Sequence, residues 1–491
     1  MDPIHNARFQ QLPRLAWLGA AVLSAVALLS GCAVGPQYQQ PAAPLAAGYH
    51  NAGALAARQG ELPAPQLDTW WNGFNDPDLQ RIVARVLEQN LDLAASMARV
   101  EQARAASRLA DAQLLPSGEL NASAVHQRQS LNSPAGRLAS GRPGYNREQS
   151  LYDIGAGASW ELDVAGGLKR ATQAASAEAQ AAEAERLGVR VSVTAEAADA
   201  YFRVRGAQRR IALAQQQIAT SSRLLELVRL RLADGLAATR EAAQAEALLA
   251  QSRATVPPLK IELETQLNRL DVLMGAAPGT YAAQLAASGT VEDRTQVPAI
   301  ELSQGPADLL RRRPDVIAAE RRLAASNAQI GVAMAEYYPK VTLSALLGLS
   351  SLGSSGLLTS AALQPQAGAG LRWRLFDFGR VDAEVARAKG ANAEALAAYR
   401  KAVLRAAEDV ENAIVTLTQL EAQHGQLKDE VDANTRARDA SELAYKGGAV
   451  SLYEVLEEQR QLLASSDQMA RVRTDNARAA VATFRAAGGG W

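Results

Sequence analysis

The sequence predicts an α+β membrane protein in which long, paired helices accompany the strands of a β-barrel that several chains share. Three observations lead to this prediction. The same series of landmarks occurs twice along the 491 residues, each series contains a proline-free helical run of about 68 residues, and four short segments alternate apolar with polar side chains. Aromatic residues make up only 5% of the alanine-rich chain, which is typical of long helices and coiled coils.

Charge and composition exclude several classes of function. Lysine plus arginine equals aspartate plus glutamate at 51 each, whereas a protein that binds nucleic acid usually carries a basic surface. The single cysteine and four scattered histidines do not provide the ligand set of a metal site. The sequence has no Ser/His/Asp arrangement and no phosphate-binding loop. We therefore expect a protein that is not an enzyme, that uses no cofactor or metal and that has no nucleic-acid partner.

The amino terminus has the parts of a bacterial secretion signal, which we expect to span residues 1–31. Arg8 and Arg14 precede an apolar run that is too short for a secure membrane span. The run ends in Leu29-Ser30-Gly31-Cys32, which resembles the lipobox of bacterial lipoproteins, where the cysteine is acylated. We predict that Cys32 carries the lipid, including a palmitate, and anchors the chain in a membrane. An ordinary signal with an unrelated cysteine is the alternative.

The residues after Cys32 bear on which membrane this is. Ala33, not an aspartate, follows the cysteine, and this resembles the sorting of lipoproteins to the outer membrane. Residues 32–66 are rich in proline, alanine, glycine and glutamine and have little periodicity. We expect this segment to be an extended, lipidated tether.

An internal duplication organises the remaining chain into repeats at 67–300 and 301–491. Each repeat is predicted to consist of a helix, a pair of strands, a very long helix, a tight turn and a return helix, and the second ends in a C-terminal tail. The landmarks recur at matching spacings, which are 24 residues from Asp92 to Pro116 and from Asp315 to Pro339, 6 from Trp160 to Gly166 and from Trp373 to Gly379, and 69 from Gly166 to Gly235 against 68 from Gly379 to Gly447.

The two long runs predict coiled-coil hairpins. About 68 residues at a rise of 1.5 Å form roughly 100 Å of helix. We expect His424 to be a tolerated polar residue of a heptad seam, not a ligand. The turns at Gly235 and Gly447 are the expected hairpin tips, since glycine permits a sharp reversal. The seam of the second run comprises Val403, Ala406, Val410, Ala413, Leu417, Leu420, His424, Leu427 and Val431.

Four segments alternate apolar and polar side chains, as strands with two different faces do. The pattern fits a membrane-barrel strand and also a half-buried strand of a soluble sandwich. The lipid anchor and the polar turns between the strands favour the barrel. Trp160 and Trp373 favour it too, because they lie near the end of the second strand of each pair, where membrane-interface aromatics are expected. The segments are 117–126, 151–163, 341–350 and 366–376.

Four strands do not close a barrel, because transmembrane barrels need about eight and an open sheet leaves unpaired edges in lipid. The barrel is therefore predicted to be shared, either by two chains with eight strands or by three chains with twelve. Since each strand pair crosses and returns, the helices lie on one side of the membrane together with the lipid on Cys32. That side is the periplasm.

Motifs at the start and in the middle of the chain carry a family resemblance. The segments WWNGFNDPDL at 70–79 and NLDL at 90–93 resemble the start of TolC-like outer-membrane factors of the NodT lipoprotein type. The segment LLRRRPDV at 309–316 is similar to the mid-chain signature of that family, and CAVGP at 32–36 to its mature start. The first repeat departs at 163–167, where the family has an aromatic residue and a Gly-Arg pair.

The resemblance implies a homotrimer whose twelve strands form one outer-membrane barrel, which continues into a long α-helical periplasmic barrel. It implies two protein partners, namely a periplasmic adaptor docked at the tips Gly235 and Gly447 and an inner-membrane transporter of the resistance-nodulation-division (RND) class. The implied function is the exit duct of a tripartite efflux pump. Such a duct passes small amphiphilic compounds to the exterior and contributes to multidrug resistance.

The segment after Gly447 is similar to the pore-constricting segment of the family. The resemblance assigns Glu457 to the acidic gate position, Tyr453 to an apolar gate position and Arg460 to a basic partner. Carboxylates repeated around a threefold axis form a ring that favours cations. The alternative is a solvated helix face in which Glu457 and Arg460 form an i,i+3 pair. The predicted gate residues are Tyr453, Glu454, Glu457, Glu458 and Arg460.

Other functions fit part of the sequence. A structural envelope lipoprotein would have a coiled-coil stalk, but it does not need the four strands. A periplasmic adaptor would have a helical hairpin, but not two proline-free runs of this length. A type I secretion exit duct shares the whole pattern and differs in its cargo.

Overall fold

The computed structural model describes residues 33–42, 45–58, 62–287, 296–301 and 305–491, so the predicted signal at 1–31 and the lipid site Cys32 lie outside it. Its strands are β1 (Ser117–Arg128), β2 (Glu148–Leu162), β3 (Lys340–Ser351) and β4 (Leu363–Arg372). Its helices are α1 (Ala52–Ala56), α2 (Pro77–Gln89), α3 (Leu91–Ala112), α4 (Pro134–Ser140), α5 (Gly167–Ala233), α6 (Thr239–Ala254), α7 (Val256–Leu273), α8 (Ala282–Ala287), α9 (Leu309–Arg312), α10 (Pro314–Ala335), α11 (Arg380–Lys446) and α12 (Leu452–Ala486).

The chain forms two compact units. The sheet unit comprises the described residues up to 41 together with 102–180 and 321–397. The helical unit comprises the described residues of 42–101, 181–320 and 398–491. Each unit takes segments from both sequence repeats. The division of the chain into repeats at 67–300 and 301–491 stays a prediction.

The four strands of the sheet unit form one antiparallel sheet in the order β1-β2-β3-β4. The central pair joins the two repeats, since Trp160 of β2 faces Leu343 of β3. Leu120 and Leu347 lie in one cross-strand row and are largely exposed, so one face of the sheet presents apolar side chains outward. Within the described residues, β1 and β4 each pair on one side only.

The strand bounds differ from the predicted ones mainly at β4. We predicted a strand at 366–376, but β4 begins three residues earlier and ends at Arg372, so Trp373 follows the strand. The early start includes Pro365, whose missing N–H is tolerated in an edge strand. The other strands extend one to three residues beyond the predicted segments at most ends. Leu346 interrupts the predicted alternation because its side chain packs over Gly155.

Both long helices form as predicted, since α5 and α11 are 67 residues each. At 1.5 Å per residue each is about 100 Å long. The heptad seam of α11 is confirmed from Val403 to Leu417, where its members are buried, whereas Leu420 and Val431 further along are half-buried. The seam position of His424 is half-buried.

The core of the helical unit is aromatic. Trp70 is fully buried and stacks on Phe484 with ring centroids 5.5 Å apart. Phe74 packs against Phe202 of α5 at 4.9 Å. The C-terminal tail closes this core, because Gly490 donates its main-chain N–H to the oxygen of Leu67 at 2.8 Å. Thus the residues of the 70–79 motif have a packing role.

Part of the predicted tether is folded. His50 and Asn51 donate their main-chain N–H groups to the Glu411 carboxylate of α11 at 2.6 and 3.1 Å, and helix α1 follows. Arg58 forms an ion pair with Glu421 at 2.6 Å. This part of the segment therefore packs on α11 instead of extending freely, which corrects the expectation for 32–66.

Candidate functional site at the helix tips

The first tip joins α5 to α6 as predicted. Gly235 has φ +70°, a conformation that favours glycine. Leu236 donates its N–H to the oxygen of Arg231 at 2.7 Å, which closes the end of α5 in the manner of a Schellman motif. The return is interrupted later at Thr255, because Pro257 and Pro258 start a new helix, α7. The first return helix is therefore two helices.

The second tip joins α11 to α12, and here the predicted glycine is off by one residue. Gly448, not Gly447, takes the left-handed conformation, with φ +73°. Ala449 donates its N–H to the oxygen of Ala444 at 2.9 Å, which is the same closing bond as in the first tip. With Gly448 as the landmark, both long segments span 69 residues from the glycine that precedes the helix.

Glu454 has a structural role at this tip. Its Oε1 accepts hydrogen bonds from the N–H and the hydroxyl of Ser451 at 3.4 and 3.3 Å. The Glu454 N–H in turn donates to the main-chain oxygen of Ser451 at 3.2 Å. Ser451 and Glu454 thus form a capping box at the start of α12. From the sequence we predicted Glu454 to be a gate carboxylate, although Ser451-x-x-Glu454 also matches the pattern of a helix cap.

Glu457, Glu458 and Arg460 lie one turn further along α12. Nη1 of Arg460 lies 3.9 Å from Oε2 of Glu457, at the limit of an ion pair, and both side chains are more than 40% exposed. Such an exposed i,i+3 pair contributes little to stability. Gln461 donates to Oε1 of Glu457 at 3.4 Å. Glu457 and Glu458 are both half-buried as residues, and the Glu457 side chain keeps 42% of its surface exposed.

Tyr453 is the most exposed aromatic side chain of the tip, at 61%. Its neighbours Leu452 and Val455 are completely buried. They belong to an apolar cluster that also contains Val228 of α5 and Leu248 of α6. The cluster fixes the orientation of α12, so that Tyr453 and Glu457 are held on its exposed side.

Arg231 links the two tips of the chain. Its guanidinium carbon lies 4.6 Å from the centroid of the Tyr445 ring, and Nη1 donates to the main-chain oxygen of Tyr445 at 3.1 Å. Burial raises the pKa of the Tyr445 phenol, so the ring stays neutral at physiological pH. Sequence reasoning missed this pair. Its only signal is position, since each residue precedes the tip glycine by three or four residues.

The two tryptophans predicted at the membrane interface make equivalent contacts in the sheet unit. Nε1 of Trp160 donates to the oxygen of Leu114 at 2.9 Å, and Nε1 of Trp373 donates to the oxygen of Tyr337 at 3.0 Å. Each acceptor lies two residues before the proline that ends its helix. Their placement at a membrane interface stays a prediction.

The part of the chain that the structure describes contains no cluster of three or more His, Cys, Asp or Glu side chains able to hold a metal ion. In the same residues no helix combines the length and the apolar composition needed to cross a bilayer. The predicted lipid site at Cys32 falls outside this part.

Known proteins resemble this chain over nearly its full length. A family model described as outer membrane efflux protein matches residues 82–276 and 305–489, one stretch in each repeat. The pyoverdine export outer membrane protein OpmQ of Pseudomonas aeruginosa is 34% identical over 475 residues, which is 96% of either chain. Nodulation protein T of Rhizobium leguminosarum bv. trifolii is 32% identical over 449 residues, 90% of this chain and 91% of its own.

A solved structure shares the fold. The outer-membrane channel OprN is 32% identical to this chain and superposes with a TM-score of 0.80, covering 94% of this chain and 100% of its own. This likeness confirms the predicted fold class, a trimeric barrel to which each mostly helical chain contributes four strands.

Proposed function

The chain belongs to the outer membrane efflux protein family, and on this basis we propose that it passes small amphiphilic compounds through a channel gated at its helix tips. It is an efflux channel of the outer membrane. The family is one of transport ducts and not of enzymes. The observation that carries the gate proposal is the exposed pair Tyr453 and Glu457, which is held in place by a buried apolar cluster at the second tip.

The channel is built from three chains, as in its family. Each chain offers a four-stranded sheet whose edge strands β1 and β4 lack a second neighbour among the described residues. Edge strands in lipid need partners, because unpaired main-chain groups are costly there. Pairing β4 of one chain with β1 of the next satisfies both edges, and three chains then give the twelve strands predicted.

The gate acts through charge and through the link between the tips. Three copies of Glu457 around a threefold axis form an acidic ring that attracts cations and repels anions. Arg231 and Tyr445 hold the two tips of each chain together, and a cation–π contact with a hydrogen bond contributes about 1–3 kcal/mol. Opening breaks this link in each chain and moves Tyr453 and Glu457 away from the axis.

Docking of a partner supplies the energy for opening. We assign the tips at Gly235 and Gly447 to a periplasmic adaptor protein, and behind it an RND transporter of the inner membrane supplies the cargo. The lipid on Cys32 anchors the channel in the outer membrane. OpmQ is named for pyoverdine export, which supports a small molecule as cargo. A type I secretion duct is the second candidate, and it would carry an unfolded protein instead.

Single-channel conductance of the purified protein in planar bilayers tests the gate. We expect Glu457→Ala and Tyr453→Ala each to raise the conductance or the open fraction. Glu246→Ala is the matched control, because Glu246 is an exposed carboxylate at the first tip that pairs with Arg229. Unchanged conductance in both gate variants would overturn the gate proposal, and absence of any channel would support a structural lipoprotein.

A further inference from the structure

The first described residues of the chain lie in a groove of the sheet unit. Val34 donates its N–H to the oxygen of Ala165 at 3.0 Å, at the corner between β2 and α5. Arg170 of α5 returns two hydrogen bonds to the same segment, from Nε to the oxygen of Val34 at 3.0 Å and from Nη2 to the oxygen of Gly35 at 3.1 Å. The segment is therefore fixed through its main chain, independently of its side chains.

Arg170 directs two of its hydrogen bonds to this segment. The residue is 6% exposed, and a buried guanidinium is stable only when acceptors surround it. Two of those acceptors are the oxygens of Val34 and Gly35, and a third is Oε1 of Gln173 at 3.0 Å. Removal of the segment would leave a buried charge without two of its acceptors. The guanidinium and the segment thus stabilise each other.

Glycines provide the space for this contact. A Cβ at Gly166 would lie 2.5 Å from Cα of Ala33, and a Cβ at Gly35 would lie 2.5 Å from Cα of Gly331. A Cβ at Gly331 would lie 2.8 Å from Cγ of Arg170. Larger residues at 166 or 331 would therefore displace the segment or the arginine that holds it.

The second repeat provides an internal comparison. Gly379 matches Gly166 in position and in backbone conformation, with φ +81° against +75°, yet a Cβ there would meet no described atom within 4 Å. Ala383 stands where Arg170 stands, four residues after the glycine. The duplication thus produced two corners, and only the first has the arginine and the close-packed glycines. The groove is a specific feature and not a by-product of the repeat.

We infer that the groove formed by Gly166, Arg170 and Gly331 is a holding site for the residues that follow the acylated cysteine. Cys32 is bonded directly to Ala33, so fixing Ala33 at the end of β2 places the acyl chains beside the barrel wall. The anchor then acts as a fixed part of the wall, not as the end of a free tether. This inference rests on the proposed lipidation of Cys32.

Spin labelling at Gln37 tests the holding site. Gln37 is exposed, two residues beyond Gly35, so the variant Gln37→Cys accepts a nitroxide label without entering the groove. In the purified full-length channel we expect an immobilised spectrum. Arg170→Gln and Gly166→Ala should each remove the immobilised component. Gly379→Ala should retain it, although it imposes the same backbone strain, and Arg321→Gln should retain it as a second arginine control in the sheet unit.

The outcomes separate the two proposals. Uptake of label by the protein without the Gln37→Cys change would show that Cys32 has a free thiol, which overturns the lipidation and with it the anchor role. A mobile spectrum in the parent, or an immobilised one in both Arg170→Gln and Gly166→Ala, overturns the holding site alone. Size-exclusion chromatography checks that each variant is still assembled, and bilayer conductance reports on the channel function separately.

Discussion

Nε1 of Trp373 donates a hydrogen bond to the main-chain oxygen of Tyr337, and the bond is 3.0 Å long. Trp160 makes the same bond to Leu114 in the first repeat. Each bond ties the end of a strand pair to the end of the preceding helix. The duplication thus preserved a donor and an acceptor that are 36 and 46 residues apart in the chain.

Replacement of either tryptophan by phenylalanine should lower stability by about 0.5–1.5 kcal/mol, because the ring remains and one hydrogen bond is lost. Trp160→Phe should cost more than Trp373→Phe, since Trp160 is half-buried and Trp373 is 54% exposed. Thermal unfolding of the purified protein measures both. Equal stability of both variants and the parent would contradict a structural role for the indole N–H groups.

Tyr201→Phe should destabilise the helical unit by about 1–3 kcal/mol. The Tyr201 hydroxyl donates to Oδ2 of Asp76 at 2.6 Å and accepts from Nε of Arg205 at 3.0 Å. Burial, and then the charge of Asp76, raise the pKa of Tyr201, so the hydroxyl stays a donor at any physiological pH. Denaturant unfolding checks the loss. Tyr281→Phe is the control, because its ring contact with Arg85 does not need the hydroxyl.

Acid should weaken the sheet unit through Glu336. The hydrogen bond from Lys340 lowers the pKa of Glu336 below its ordinary 4.5, and Arg374 lies 3.2 Å from the same carboxylate. A lowered folded-state pKa means that the stabilisation is present above pH 4.5 and is lost as the pH falls through the folded-state value. Glu336→Gln should therefore reduce stability at pH 7 and flatten the acid limb of a plot of melting temperature against pH. A parallel acid limb in the variant would argue against Glu336.

Arg231→Gln should raise the open fraction of the channel, because it removes the charge that lies over the Tyr445 ring at 4.6 Å. Tyr445→Leu should do the same by removing the ring. Arg229→Gln is the control, since Arg229 lies two residues away and pairs with Glu246 in an exposed ion pair. Planar-bilayer recordings give the open fraction. If Arg229→Gln opened the channel as strongly as Arg231→Gln, general loss of positive charge would explain the effect instead.

The sequence was informative where local patterns decide the structure. Val403, Val410 and Leu417 are buried as predicted, because an apolar heptad stripe is buried by whichever helix packs against it. The alternation of apolar and polar residues predicts the strands, but it does not predict the residues at which they begin and end. The strand β4 starts earlier than predicted because Pro365 is acceptable in an edge strand, and edge position is a property of the sheet and not of the segment.

The sequence was uninformative where distant segments meet. Nothing near Glu411 indicates that it accepts the N–H groups of His50 and Asn51, some 360 residues away. Residues 32–66 have little periodicity and therefore no apolar face of their own, which is why the sequence predicted a free tether. Likewise Arg170 resembles any helix arginine until Val34 and Gly35 lie against it.

The equal span of 69 residues, from Gly166 to Gly235 and from Gly379 to Gly448, has a consequence for how this chain can change over evolutionary time. An insertion in one long helix alone would leave the two reversals at unequal heights and would separate Arg231 from Tyr445. Length changes should therefore occur in both hairpins, in the long helix and the return arm of each, and in steps of about seven residues that keep the seam in phase. In a duplicated chain of this kind, the two hairpins change length together or keep their length.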